Sequence, residues 1–291
     1  MSVSFKRVLH ACGSILAIIA VFFMIFRLQA YLDQIDFPEL LAEVWFPLLA
    51  LSIFAGVSNI FLVLIWYRCL AYLGVSVPFQ KATWIYGFSQ LCKYIPGNIF
   101  HLAGRQALGM AENLPLGKTM RSIVWELAIL ASGAICVFCP PYIVHYFFPG
   151  LTAPWLFWMF IFCCLAVPYT AGRILGSPLS SAMVCCILYL GSFGCIFAAM
   201  LALLTASPMY FMEIFVIATS YIVAWFAGFV TPGAPAGLGI RECAMLLLLR
   251  GIPIPEPDLL LAIMLCRIIT IAGDCLFFVV SIGLRSFATK S

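Results

Sequence analysis

The sequence predicts an all-α, polytopic helical membrane protein with about seven spans plus two re-entrant or broken helices in a pseudo-repeated bundle. Of its 291 residues, 65% are hydrophobic and only 9% are charged, whereas soluble domains contain about 25% charged residues. The mean hydropathy of +1.14 is too high for one globular core to bury, because too much of a folded chain's surface faces water. These values exclude disordered, collagenous and disulfide-rich secreted chains. We expect one transmembrane domain over residues 1–291.

Long stretches without charge locate the spans. Asp, Glu, Lys and Arg are absent from 8–26, 44–67, 127–172, 174–212 and 214–240. Because a helical span needs about 20 apolar residues, 127–172 holds two spans, which divide between His145 and Pro154. The stretch 174–212 holds one span, over 180–204. Apolar segments of this length without strict alternation favour helices over the strands of a membrane barrel.

Basic residues predict the orientation, because Lys and Arg collect in short cytoplasmic loops. Lys6 and Arg7 precede the first span, and the next loop is acidic. Later basic positions are Arg68, Lys81, Lys118, Arg121, Arg173, Arg285 and Lys290. We therefore expect a multi-pass protein of the cell (inner or plasma) membrane with both termini in the cytoplasm. The scattered basic residues favour membrane lipids as partners and offer no basic stripe for nucleic acid.

Two segments interrupt the pattern of regular spans. The first, 87–105, has apolar pieces of about a dozen residues on each side of a Pro-Gly pair, too short to span, and favours a re-entrant hairpin. The second is 228–242, where Pro and Gly cannot continue a regular helix. The residues that break the two helices are Pro96, Gly97, Pro232, Gly233, Pro235, Gly237 and Gly239. Paired broken helices indicate a transporter's binding site, because irregular backbone at membrane depth must be buried or line a cavity.

The two segments also share a spacing that favours an anion site. Each reads Pro-Gly, seven residues, Arg, then Gln or Glu. A helix that restarts after Pro-Gly has a partly positive N-terminus, toward which Arg105 and Arg241 can lean back. Asn98 and His101 share one helix face with Arg105, and a guanidinium suits bidentate phosphate binding. We expect Arg105 to anchor a phosphate, so that alanine there stops transport without unfolding the protein; a stripe that only bonds neighbouring helices is the alternative.

Four more ionisable residues lie in apolar spans, where charge costs about 2.5–3.5 kcal/mol and usually faces a partner inside the bundle. They are Glu126, Glu213, Arg267 and Asp274. Arg267 and Asp274 are too far apart to pair easily, so we expect partners on other helices, such as Arg241 or Glu242. For Glu126, a structural pair with Lys118 or Arg121 and a functional role both stay open, and Glu213 is expected to lie at the interface beside Tyr210. The expected substrate-binding residues are Asn98, His101, Arg105, Arg241, Glu242, Arg267 and Asp274.

No sequence pattern indicates a cofactor, a metal or a catalytic group. Most of the 13 cysteines lie in apolar runs, where free cysteine behaves as a small hydrophobe. The spacing of a zinc site is missing, and so is the Gly-rich loop that cradles nucleotide phosphates. We therefore expect a non-enzymatic protein with no cofactor, no metal and no catalytic residue.

Two motifs resemble the transmembrane region of lysylphosphatidylglycerol synthases and the wider flippase-like family built on it. The matching residues are Lys93-Tyr94-Ile95-Pro96-Gly97-Asn98 with Arg105, and Pro232-Gly233-Ala234-Pro235-Ala236-Gly237-Leu238-Gly239 with Glu242. The second motif departs from the family at Ala236, where a glycine is usual. The resemblance implies transfer of a phosphate-bearing lipid between leaflets, with a polyprenyl-phosphate-linked sugar as another cargo. Because the chain ends at Ser291, we expect no soluble aminoacyl-transferase domain and no lysyl transfer from tRNA.

Three function classes remain open. The first is a translocase for an anionic phospholipid or a polyprenyl-phosphate-linked glycolipid. The second is a non-catalytic membrane partner of glycan-assembly or lipid-modifying enzymes, which would need only the bundle. The third is an embedded transferase, for which Glu126, Asp274 and His101 are candidate groups, although no motif brings them together.

Overall fold

The computed structural model describes residues 37–94, 100–147, 153–205, 209–231, 237, 239–250, 252 and 254–288, and over these residues the chain forms helices and no strand. The helices are α1 (Phe37–Tyr72), α2 (Phe79–Gln90), α3 (Phe100–Ala111), α4 (Leu116–Gly133), α5 (Cys139–Phe147), α6 (Ala153–Leu175), α7 (Ser177–Leu204), α8 (Phe211–Val230), α9 (Ile240–Leu248) and α10 (Glu256–Ala288). A 3₁₀ turn, Leu91–Tyr94, follows α2, and a π-helical turn, Ala134–Phe138, joins α4 to α5.

Six helical segments in these described ranges are long and apolar enough to cross a membrane. They are Val44–Tyr72, Leu116–Val144, Trp155–Leu175, Ser177–Leu204, Phe211–Val230 and Glu256–Leu284. The shortest has 20 residues, and a helix of that length is about 30 Å long, the thickness of the hydrocarbon layer. The chain is therefore a multi-pass, all-α membrane protein. The predicted division between His145 and Pro154 is confirmed, whereas the first predicted span, 8–26, with Lys6 and Arg7, lies outside the described residues.

The bundle is organised around α7, the most buried of the six spans, which packs against α1, α6 and α8. The last span, α10, packs against α1 and α2. Glycines permit the closest contacts: a Cβ on Gly273 would lie 2.7 Å from Cβ of Ala55, and one on Gly194 would lie 2.8 Å from the carbonyl oxygen of Ala218. Small residues let membrane helices approach closely, because hydrophobic burial does not drive helix association in lipid.

Short helices flank the first predicted interruption, and a short helix follows the second. α2 and α3 have 12 residues each and α9 has 9, which is about 18 Å of helix or less and too short to span. The prediction that regular helix breaks in both segments is confirmed. The predicted residues Pro96, Gly97, Asn98, Pro232, Gly233 and Pro235 lie outside the described residues.

The two described glycines of the second break show why glycine is needed there. Gly237 and Gly239 have φ angles of +68° and +79°, a left-handed backbone that L side chains rarely adopt. A Cβ on Gly237 would also lie 3.0 Å from Cα of Gly228 in α8. The chain therefore folds back against α8 before α9 begins, which carries the start of α9 into the bundle.

Candidate functional site: a cationic cavity between the two broken helices

A cavity of about 340 Å³ lies between the two interrupted segments. Lys93, Tyr94 and His101 line it from either side of the first break, and Gly237 and Arg241 line it from the second. Both breaks therefore contribute to one cavity, as the paired pattern predicts.

The rest of the lining is mostly apolar, with a few uncharged polar groups. The apolar and aromatic members are Leu62, Leu102, Leu127, Leu130, Phe193, Trp225 and Phe229, and the polar ones include Gln90, Tyr189 and Thr270. Trp225 and Phe229 stack on each other with ring centroids 5.0 Å apart. A concave wall with convergent polar groups on an apolar background is the usual form of a small-ligand site.

Arg105 lies in the cavity wall but is already paired. The residue is 1% exposed, and its Nη1 donates to Oε2 of Glu126. Its guanidinium stacks 3.7 Å from the ring centroid of Tyr86, whose hydroxyl donates to Oε1 of the same carboxylate at 2.6 Å. The predicted pairing of Glu126 with Lys118 or Arg121 is wrong, because α3 packs against α4 and places Arg105 opposite Glu126.

Asp274 of α10 holds the residues that precede the first break. Its Oδ2 accepts a hydrogen bond from the Tyr94 hydroxyl and lies 2.7 Å from Nζ of Lys93, while Oδ1 accepts from Nδ2 of Asn59 at 3.0 Å. This carboxylate is 2% exposed. Asp274 thus meets residues of other helices, as expected, but these are neither Arg241 nor Glu242.

Arg267 pairs with Glu242, as expected from the sequence. Nε of Arg267 lies 2.5 Å from Oε1 of Glu242. Burial opposes ionisation of Glu242, but Arg267 and Arg241 outweigh burial and lower the pKa of this carboxyl below its usual value. Arg267 lines the cavity, whereas the Glu242 carboxylate lies outside that lining and is turned to Arg267. A direct contact of Glu242 with a substrate stays a prediction.

Arg241 differs from the other cavity cations in its partners. Its Nη2 donates to the Tyr221 hydroxyl, and its guanidinium lies 4.8 Å from the centroid of that ring. Within the described residues no carboxylate lies within 4.0 Å of it. Arg241 is in the first turn of α9, where the helix dipole already favours an anion. This end of the cavity is therefore the best placed to receive negative charge.

His101 is a neutral member of the lining. Burial first, and then Arg105 and Lys93, lower its pKa from 6.5 to about 3. Its Nδ1 has no hydrogen-bond partner among the residues that the structure describes. A neutral imidazole both donates and accepts, so His101 can bond a ligand hydroxyl without adding charge.

The cavity therefore contains five predicted site residues: His101, Arg105, Arg241, Arg267 and Asp274. Glu213 is separate, because its Oε2 accepts a hydrogen bond from the Tyr210 backbone N–H at 2.8 Å and caps α8. Sequence reasoning did not assign a site role to Lys93, Tyr94 or the two tyrosines under the arginines, Tyr86 and Tyr221. Lys93 and Tyr94 lie three and two residues before Pro96, and their place beside the break was the sequence signal for a site role.

The comparisons with known proteins leave the family open. No protein-family model matches the chain, and no curated protein matches it significantly. Within the described ranges, no three His, Cys, Asp or Glu side chains are grouped as metal ligands.

Proposed function

We propose that this chain is a lipid translocase that moves an anionic phospholipid or a polyprenyl-phosphate-linked glycolipid between the leaflets of the cell membrane. One observation carries the proposal: a cavity bordered by both broken helices holds Arg241, a cation without a carboxylate partner in the described part of the chain. The basic loops support cytoplasmic termini. The two motifs support membership of the flippase-like family and a non-enzymatic role.

The size of the cavity fits a headgroup rather than a whole lipid. Ligand pockets are about 300–1,000 Å³, and 340 Å³ is at the small end of that range. A phosphate and its polar substituent fill such a space, so the acyl or prenyl chains must stay in the surrounding bilayer. The protein then shelters only the part of the lipid that the hydrocarbon layer excludes.

The polar lining lowers the main barrier to lipid transfer between leaflets. A charged group at the bilayer centre is costly because it loses its water. Arg241, His101 and the tyrosines replace part of that hydration with N–H and O–H donors. With no nucleotide-binding loop in the sequence, the proposed driving force is a gradient, lipid mass action or a partner protein.

A leaflet-exposure assay tests this function. The purified full chain is placed in liposomes that contain a trace of fluorescent phosphatidylglycerol, and a membrane-impermeant reductant bleaches the outer leaflet. Protein is expected to make the inner-leaflet label accessible, and Arg241→Gln is expected to slow this exchange about ten- to a hundredfold, the effect of one charged hydrogen bond. Arg250→Gln is the matched control, because Arg250 is exposed just beyond the other end of α9.

Exchange no faster than in protein-free liposomes, for both phosphatidylglycerol and a polyprenyl-phosphate-linked sugar, would overturn the translocase proposal. It would favour the non-catalytic membrane partner of glycan or lipid-modifying enzymes. Equal rates for Arg241→Gln and Arg250→Gln would show that transport does not use the cavity.

A further inference from the structure

The charges in and beside the cavity do not balance. The described part of the chain contributes four cations, Lys93, Arg105, Arg241 and Arg267, and three carboxylates, Glu126, Glu242 and Asp274. Each carboxylate forms an ion pair with a different cation: Lys93–Asp274, Arg105–Glu126 and Arg267–Glu242. Four cations against three carboxylates leave one positive charge, and it resides on Arg241.

Two of the three carboxylates are held by neutral donors as well as by their cations. Asp274 is held by Asn59 and Tyr94, and Glu126 by Tyr86. Both residues, Asp274 and Glu126, are buried, so moving either carboxylate would leave buried donors without an acceptor. Glu242 interacts with both Arg267 and Arg241 but can neutralise only one of them, so the imbalance of one positive charge does not depend on the pairing.

We infer that the cavity selects a headgroup with one negative charge, a phosphodiester, and that Arg241 determines this selection. The inference rests on the proposed function and narrows its cargo. It favours a phosphatidylglycerol-like lipid, or a sugar joined to a prenyl chain through one phosphate, over a pyrophosphate-linked carrier.

The physical reason is the cost of unbalanced charge away from water. A phosphodiester brings one negative charge and neutralises Arg241. A phosphomonoester dianion or a pyrophosphate leaves the cavity with excess negative charge. A zwitterionic headgroup brings a cation that meets no unpaired carboxylate among the described lining residues.

The guanidinium of Arg241 also has donors to spare. Tyr221 takes one N–H, and a guanidinium has five. A phosphodiester has two unsubstituted oxygens, which match a bidentate guanidinium. The neutral His101, which lines the same cavity, can bond a hydroxyl of the substituent without changing the charge balance.

Direct binding of three short-chain lipids to the full chain in detergent tests the inference. The probes are dihexanoyl phosphatidylglycerol, phosphatidic acid and phosphatidylcholine, at about pH 8, where a phosphomonoester is mostly a dianion because its second pKa is about 6. Phosphatidylglycerol is expected to bind about ten- to a hundredfold more tightly than the other two. Arg241→Gln is expected to lose this preference, and Arg241→Lys and Arg250→Gln to retain it.

Phosphatidic acid or phosphatidylcholine binding as tightly as phosphatidylglycerol would overturn the inference, as would an unchanged preference in Arg241→Gln. If Arg241→Gln does not fold, the ranking of the three lipids on the unmodified chain decides by itself. Dimethyl phosphate, which has no acyl chains, is expected to compete only at about tenfold or greater excess. Competition at equal concentration would support the phosphodiester but identify a soluble ligand in place of a lipid.

The binding and leaflet-exposure assays separate the two proposals. Selective binding of phosphatidylglycerol without lipid exchange would leave the inference standing and overturn the translocase. Equal binding of phosphatidylglycerol and phosphatidic acid, together with exchange of both lipids between leaflets, would overturn the inference and leave the translocase standing.

Discussion

Replacing Arg105 with alanine is expected to destabilise the fold, and not simply to remove a ligand contact. The side chains of Arg105 and Glu126 are 1% and 3% exposed. Alanine removes the ion pair and the stacking on Tyr86 together. The Glu126 carboxylate then remains buried with only the Tyr86 hydroxyl as a hydrogen-bond partner in the described residues.

The expected loss is large. Removing one partner of a buried ion pair costs about 3–5 kcal/mol, because the other charge stays buried without compensation. Lost stacking of a guanidinium on a desolvated ring adds about 1–2 kcal/mol. Glu126→Gln is expected to cost a similar 3–5 kcal/mol, since it leaves Arg105 unbalanced. The double change Arg105→Met with Glu126→Leu removes both charges and is expected to regain most of this loss.

Unfolding of the purified protein by detergent titration or heat measures these differences. An exposed ion pair gives the matched control: Lys81 and Glu112 are 2.7 Å apart, with side chains 30% and 29% exposed. Lys81→Ala is expected to cost less than about 1 kcal/mol, because solvent screens such a pair.

An Arg105→Ala protein as stable as the unmodified chain would refute this reasoning. If that variant also lost lipid exchange, Arg105 would be the ligand anchor that the sequence suggested. A double variant less stable than either single variant would show that the intact ion pair stabilises the fold by more than the cost of leaving one of its charges unpaired.

Three further predictions concern other parts of the bundle. Asp274→Asn is expected to speed amide hydrogen exchange in the turn 91–94, which it anchors; unchanged exchange would show that the turn is held by other contacts. Gly273→Ala is expected to cost about 1–3 kcal/mol of stability, because its Cβ would lie 2.7 Å from a neighbouring Cβ. Gly117→Ala, with open space around it, is expected to be neutral or slightly stabilising in the same unfolding measurement, and equal losses would contradict the close-contact argument. Because the folded pKa of His101 is about 3 against an ordinary 6.5, unfolding takes up a proton as the pH falls below about 6.5, so stability should drop between about pH 7 and pH 5. His101→Gln should reduce that drop, and an identical pH profile would refute it.

Hydropathy predicts the spans well because the bilayer fixes both their length and their composition. The division between His145 and Pro154 and the span over 180–204 match the described helices closely. The two breaks were predictable for a related reason, because Pro and clustered Gly cannot continue a helix in any tertiary context. The gathering of both breaks at one cavity followed from the paired pattern.

Ion-pair partners were harder to predict because they depend on how helices pack. Glu126 has Lys118 and Arg121 nearby in sequence, yet it pairs with Arg105, 21 residues away. Asp274 meets Lys93 across 181 positions of the chain. Nothing in the local sequence encodes such contacts, since any buried carboxylate can be satisfied by any cation that the fold brings near.

The sequence by itself determined that the chain is a bundle of membrane helices with two interruptions, because those properties follow from residue-by-residue transfer into lipid and from backbone geometry. Only the tertiary structure decided which arginine is compensated and which is not. Arg105 and Arg241 occupy equivalent positions after their Pro-Gly pairs, but packing places a carboxylate against the first and a tyrosine hydroxyl against the second. The two arginines differ because each meets a partner about 20 residues away in the sequence, which only helix packing can bring near. The cavity's excess positive charge therefore lies on Arg241.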